Sequence, residues 1–176
     1  LDKATELLKG SSSVNRNLAR ELLKSATGLL EPSPPSRARA FMLHSIVLEA
    51  SRCGFVDVVR RGHVLWFQDS AASDYFASAE GQRLTVEIVY AYGTALVSSS
   101  PASSMPLDSV PASCPGEAQA AGLREICRGA SIAAKANEPL LVTNGAALVW
   151  NSCVPWVRRA RWPAVREFLC GAFAAL

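Results

Sequence analysis

Prolines and glycines cut this chain into short blocks, and inside each block the apolar residues recur at the period of an α-helix. The hardest stops are Pro32-Ser33-Pro34-Pro35-Ser36, Cys53-Gly54, the Pro101–Pro115 stretch and Glu138-Pro139. A proline lacks the amide that a helix interior needs, so each of these places ends one helix or admits the next. Helices of roughly 12 to 20 residues are too short to stand alone in water and must bury their apolar faces on one another. Short links between them turn successive helices antiparallel. The predicted fold is therefore all-α: stacked antiparallel helical hairpins, of the kind found in degenerate tetratricopeptide-like α-solenoids.

Leu1 to Lys9 and Val14 to Leu30 read as two helices parted by Gly10 and the serines after it. Arg37 to Arg52 is a third, with Phe41, Leu43, Ile46, Val47 and Ala50 on its buried face, and Phe55 to Phe67 a fourth, with Phe55, Val58, Val59 and Trp66 inward. Asp74 to Val97 reads as one long helix, because the β-like run Leu84–Tyr92 has no second strand to pair with. Glu117 to Asn137 follows with Leu123, Ile126, Cys127 and Ile132 inward, then Leu140 to Ser152, then a last helix opening at Trp162-Pro163. The domain reading is helical-hairpin repeats over 1–97, a Ser/Pro-rich loop or linker over 98–115, and repeats over 116–176 that continue the same solenoid. The Ser/Pro stretch is taken as an exposed insertion, with a phosphorylated or partner-docking loop as the alternative. Helical pattern reaches both Leu1 and Leu176, which gives the expectation of a segment from a much larger protein.

Composition agrees with the pattern. The 28 Ala and 20 Leu stand against 15 Val, 4 Ile and 5 Thr, so good helix formers outnumber β-branched residues two to one. A net charge of +3 spread over helical blocks is too mild to point to nucleic acid. Local basic patches suited to an acidic partner surface are nonetheless available at Arg37 and Arg39, at Arg60 and Arg61, and at Arg158, Arg159, Arg161 and Arg166, each also readable as a solvated helix face. The cysteines Cys53, Cys114, Cys127, Cys153 and Cys170 contain no CxxC pair, so neither zinc nor a disulfide framework is signalled. Cys53, Cys127 and Cys170 read as small buried hydrophobes in a reducing, intracellular compartment. Pro139 to Val157 is uncharged and near the roughly 20 residues a membrane span needs, but Asn144 and Asn151 would be costly in lipid, so a packed helix is expected and no membrane partner.

Material for catalysis is thin. The chain has two histidines, His44 and His63, and neither stands near a ligand or triad pattern. No G-x-S-x-G elbow, phosphate-binding glycine loop or dinucleotide fingerprint occurs. The expectation is a protein without enzymatic activity, cofactor or metal. Asn144 and Asn151 lie seven residues apart, on one face of one helix, where they could clamp the backbone of a bound peptide or bond to a neighbouring helix turn. Trp150, Trp156 and Trp162 read as core, with part of the cluster available to anchor a partner.

Arg161-Trp162-Pro163-Ala164-Val165, continuing to Leu169 and Ala172, resembles the second helix of a tetratricopeptide repeat, and Gly54–Val59 resembles the same corner. The uncharged block Pro139-Leu140-Leu141-Val142-Thr143-Asn144-Gly145-Ala146-Ala147-Leu148-Val149-Trp150-Asn151, with the helix at Trp162, resembles the tetratricopeptide-like region of the cilia- and flagella-associated protein forty-six family; so does Ala50–Arg60. That resemblance implies a scaffold in a central-apparatus projection of the motile-cilium axoneme, needed for assembly and motility. It implies cytoplasmic, cytoskeletal localisation, other axonemal scaffold proteins as partners, and microtubule association, direct or through them. A soluble tetratricopeptide-type adaptor is the alternative, binding a peptide in its concave groove through Asn144, Asn151 and the arginines Arg60, Arg61, Arg158, Arg159, Arg161 and Arg166. A helical enzyme or RNA-binding domain is the third reading and has no site or basic stripe behind it.

Overall fold

The computed structural model describes residues 13–71, 74–99, 115–158 and 161–176. The expected helix at Leu1–Lys9, most of the Ser/Pro-rich stretch, Cys114 and Arg159 lie outside the described residues. Within them the chain forms seven α-helices and no strand: α1 Ser13–Leu30, α2 Arg37–Arg52, α3 Val56–Ser70, α4 Ala79–Ser98, α5 Glu117–Lys135, α6 Pro139–Val157 and α7 Trp162–Phe173. Every helix packs on its predecessor, and α1 with α3, α2 with α4, α4 with α6 and α5 with α7 meet as next-but-one neighbours. The all-α hairpin stack expected from the blocks is the fold observed.

Two corners explain how α-hairpins close here. After α2 the Gly54 backbone turns left-handed, with φ of 72°, and the Phe55 and Gly54 amides donate to the Ala50 and Ser51 carbonyls at 2.9 and 3.1 Å. That is a Schellman-type stop, which a glycine adopts without strain. The same device ends α5, where Asn137 takes the left-handed position at φ 57° and the Glu138 amide reaches the Ala133 carbonyl at 3.0 Å. The helix therefore stops at Lys135, two residues before the expected Asn137.

A single apolar stack runs through both halves because α4 serves two cores. Its Leu84, Ile88, Ala91 and Ala95 join Leu23, Leu43, Val47, Val59 and Trp66, while Val86, Tyr90 and Val97 join Leu123, Ile126, Val149, Trp156 and Phe168. Contact between α4 and α5 is backbone-close at Gly93 and Gly122. A Cβ on Gly93 would lie 2.7 Å from the Gly122 carbonyl oxygen, and one on Gly122 2.5 Å from the Gly93 carbonyl oxygen.

Several expectations are corrected. Asp74–Val97 is not one helix: a 3-10 turn at Asp74–Ala77 comes first, and Ser78, whose hydroxyl accepts from the Gly81 amide at 3.1 Å, caps a separate α4. Helix α6 continues past Ser152 through Pro155 to Val157. An interior proline costs about 3 kcal/mol, and the burial of Cys153 and Trp156 on the same turn offsets it. Phe41 is 37% exposed beneath the Arg37 guanidinium, and the buried position on that turn belongs to Arg39, at 4% exposure. Of Trp150, Trp156 and Trp162 only Trp156 is buried, Trp150 and Trp162 being 40% and 50% exposed. Cys170 is exposed and Cys53 and Cys127 are half-buried, so among the described residues the fully buried thiol is Cys153. By length and composition α6 could cross a membrane; 39% of that stretch is buried inside the stack.

Candidate interaction groove

Three helices of the even-numbered row, α2, α4 and α6, border an open groove of about 510 Å³. Leu48, Ser51 and Arg52 come from α2, Glu87, Tyr90, Ala91 and Thr94 from α4, and Leu141, Asn144, Ala147, Leu148 and Asn151 from α6. Heptad spacing puts Asn144 and Asn151 two turns apart on one face of α6, and both are exposed. Neither amide bonds another described residue, so the alternative of a bond to a neighbouring helix turn is not what the fold adopts.

The groove's walls are locked by groups that have spent their hydrogen bonds. Ser51 Oγ donates to the Ala91 carbonyl at 3.0 Å, tying α2 to α4. Tyr90 Oη donates to the Leu141 carbonyl at 2.7 Å, tying α4 to α6, and its ring lies where Cβ atoms on Gly129 and Gly145 would be. Burial pushes the Tyr90 phenol up to about 12, so it stays a donor throughout the physiological range. Glu87 accepts from His44 Nε2 at 2.7 Å and pairs with Arg83 at 3.6 Å; the His44 hydrogen bond leads in holding its carboxyl below the ordinary value. At one end, Pro155 has no amide to offer the Asn151 carbonyl four residues back, which leaves a main-chain acceptor without its helical donor beside the groove.

The arginines named from the sequence do not join the two asparagines. Arg61 Nε pairs with Glu31 at 2.7 Å on the odd-numbered row. Arg60, also on α3, lines a separate pocket with Arg16 and Arg20 from α1. Arg158 is the exposed C-cap of α6 and Arg161 the exposed N-cap of α7. Arg166 lines a cleft of about 700 Å³ between α5 and α7, with Arg124, Glu117 and Glu167. The guanidinium bordering the groove is Arg52, which together with Glu87 and Tyr90 was not singled out from the sequence. Nothing local marks these three: the Tyr90 bond to Leu141 spans 51 residues.

Among the described residues no three His, Cys, Asp or Glu side chains gather as a metal site. His63 stacks on Tyr92 with ring centroids 4.2 Å apart, and burial leads in lowering its pKa, so it stays neutral at physiological pH. What the groove offers is apolar surface from Leu48 and Leu148, two free amides, the Glu87 carboxylate and the Arg52 guanidinium, which pairs with Glu49 at 3.3 Å, a set suited to holding a chain by hydrogen bonds and side-chain burial.

Fold and groove together define an all-α helical-hairpin stack with an open surface across alternate helices. No protein-family model, curated protein or solved structure matches the chain.

Proposed function

We propose that this chain is a protein-interaction segment of a large axonemal scaffold, resembling the cilia- and flagella-associated protein forty-six family, and that it acts through contacts with other scaffold proteins and without a reaction or cofactor. The observation that carries the proposal is the groove across α2, α4 and α6 with the unpartnered amides of Asn144 and Asn151. Large apolar side chains left exposed on and after α7, Trp162, Phe173 and Leu176 at 50%, 50% and 67%, add surface of the kind that protein partners cover. The test is affinity purification of the tagged full-length protein from cells with and without motile cilia, with imaging. Co-purification with axonemal proteins and signal along the axoneme is the expected result. A diffuse protein recovered with chaperones or RNA overturns it.

The same groove favours a second reading, a peptide-binding adaptor. Its test is capture of an acidic or C-terminal peptide by the chain, lost in the Asn144→Ala/Asn151→Ala double variant. Capture unaffected by those changes rejects this groove as the binding surface.

A further inference from the structure

A second surface lies on the odd-numbered row, where α1 passes the start of α3. Arg16, Arg20 and Lys24 follow one another at four-residue spacing, one helical turn each, so all three heads share a face of α1. Arg16, Arg20 and Arg60 border a pocket of about 540 Å³ whose remaining walls include Gly54, Phe55 and Val56. The cations are held in place. Arg16 Nη2 donates to the Cys53 carbonyl at 2.8 Å, and its guanidinium lies 5.8 Å from the Phe55 ring centroid. Arg20 and Lys24 reach the Asp57 carboxylate at 3.0 and 3.3 Å. Arg60 is exposed and has no acidic partner among the described residues.

Four cations thus face one carboxylate, Asp57, with Glu21 shared only by Lys24 at 3.0 Å. Asp57 also reports on the field it sits in. Burial by itself would push its carboxyl up, yet the hydrogen bonds from Arg20 and Lys24 outweigh that and hold it below the ordinary value. The first turn of α3 holds Asp57 itself, and its N-cap, Phe55, supplies no side-chain hydrogen bond to the turn's amides.

We infer that this α1–α3 pocket docks a glutamate-rich segment of a partner protein, with carboxylates at Arg16, Arg20 and Arg60 and an apolar side chain against the half-buried Val56. A peptide fits better than nucleic acid: the cations span one concave pocket with an apolar wall and an internal carboxylate, where a duplex or single strand needs a continuous phosphate-spaced stripe. The inference is independent of the ciliary proposal, since it concerns binding by the chain itself.

The experiment is fluorescence anisotropy of the whole chain with a labelled glutamate-rich peptide carrying one leucine. Binding is expected at low salt and should weaken as salt rises. Arg60→Gln is expected to weaken it about threefold and Arg60→Glu about tenfold or more, while Lys135→Gln, an exposed cation in the last turn of α5, leaves it unchanged. Arg60 is exposed and unpaired, so its variants should keep the wild-type helical circular dichroism; should the charge reversal unfold the chain, Arg60→Gln still decides. Equal binding of the glutamine version of the peptide overturns the inference. So do an unchanged affinity in Arg60→Gln, an equal loss in Lys135→Gln, tighter binding of a single-stranded DNA oligonucleotide, or displacement of the peptide by equimolar inorganic phosphate.

Discussion

Replacing Arg39 by Met should remove a lock that joins three helices. The Arg39 and Asp69 side chains are 5% and 6% exposed and form an ion pair, Nε lying 2.7 Å from Oδ2, joined by one hydrogen bond of 2.8 Å from Nη2 to Oδ1. The remaining guanidinium nitrogen, Nη1, donates to the carbonyls of Leu30 and Glu31 at 2.6 and 3.2 Å and also to Ser33. One side chain on α2 thereby satisfies the C-terminal end of α1, the proline-rich link after it, and a carboxylate near the end of α3. Breaking a buried pair from one side costs about 3–5 kcal/mol, a large part of the roughly 5–15 kcal/mol that holds a domain together. Asp69→Leu should cost about half as much, because the stranded guanidinium keeps its three carbonyl acceptors while the stranded carboxylate of Arg39→Met keeps none. In the double variant the orphan charge disappears, so the loss should fall short of the sum by about 1–2 kcal/mol. Urea unfolding followed by far-ultraviolet circular dichroism reads all three variants as shifts in midpoint at constant slope. The reasoning is refuted if Arg39→Met lies within about 1 kcal/mol of wild type, or if Asp69→Leu is the more damaging change.

The α4–α5 crossing makes a second expectation: Gly122→Ala should cost about 2–3 kcal/mol in the same assay, because its Cβ would press on backbone that cannot move aside. Gly171→Ala is its contrast and should be neutral or stabilising, since the added carbon meets Cys127 Sγ at an ordinary 3.6 Å. Tyr90→Phe should cost about 1 kcal/mol at neutral pH through loss of the Leu141 bond. The folded protein favours the neutral Tyr90 phenol, so that stabilisation is complete below the ordinary pKa of 10.0 and is lost as pH rises toward about 12; melting temperatures across that range should fall less steeply in the Phe variant. Alkylation mapped by mass spectrometry should modify exposed Cys170 well before Cys153, whose thiol is buried and pushed up to about 12; early labelling of Cys153 in the native protein would contradict the packing of α6.

Legibility along the chain followed how local each signal is. The stop at Pro32–Ser36 and the helix over Arg37–Arg52 could be placed to the residue, because a proline and a capping serine act on their immediate neighbours. Val165, Leu169 and Ala172, chosen by spacing alone, are all buried. Asn144 and Asn151 were placed on one face of a helix by the same periodicity, and both border the groove. Failures cluster where a neighbour intervenes. Arg39 reads as a surface cation until the carbonyls after α1 and the Asp69 carboxylate surround it. Trp162 reads as core, yet it opens α7, one turn ahead of the buried Val165, and stays half exposed.

Helix existence, approximate ends and hairpin order are set by steric and hydrogen-bonding rules that reach four or five residues along the backbone, so composition and punctuation were enough to specify an all-α stack. Which cations would be buried, which would be freed and which helices would frame a groove depend on side chains separated by 30 to 51 residues, as in Arg39 with Asp69 and Tyr90 with Leu141. Those distances close only when the rows of helices assemble. Burial then turns a surface charge into a lock and a phenol into a permanent donor, because the energy of a polar group is decided by what replaces its water.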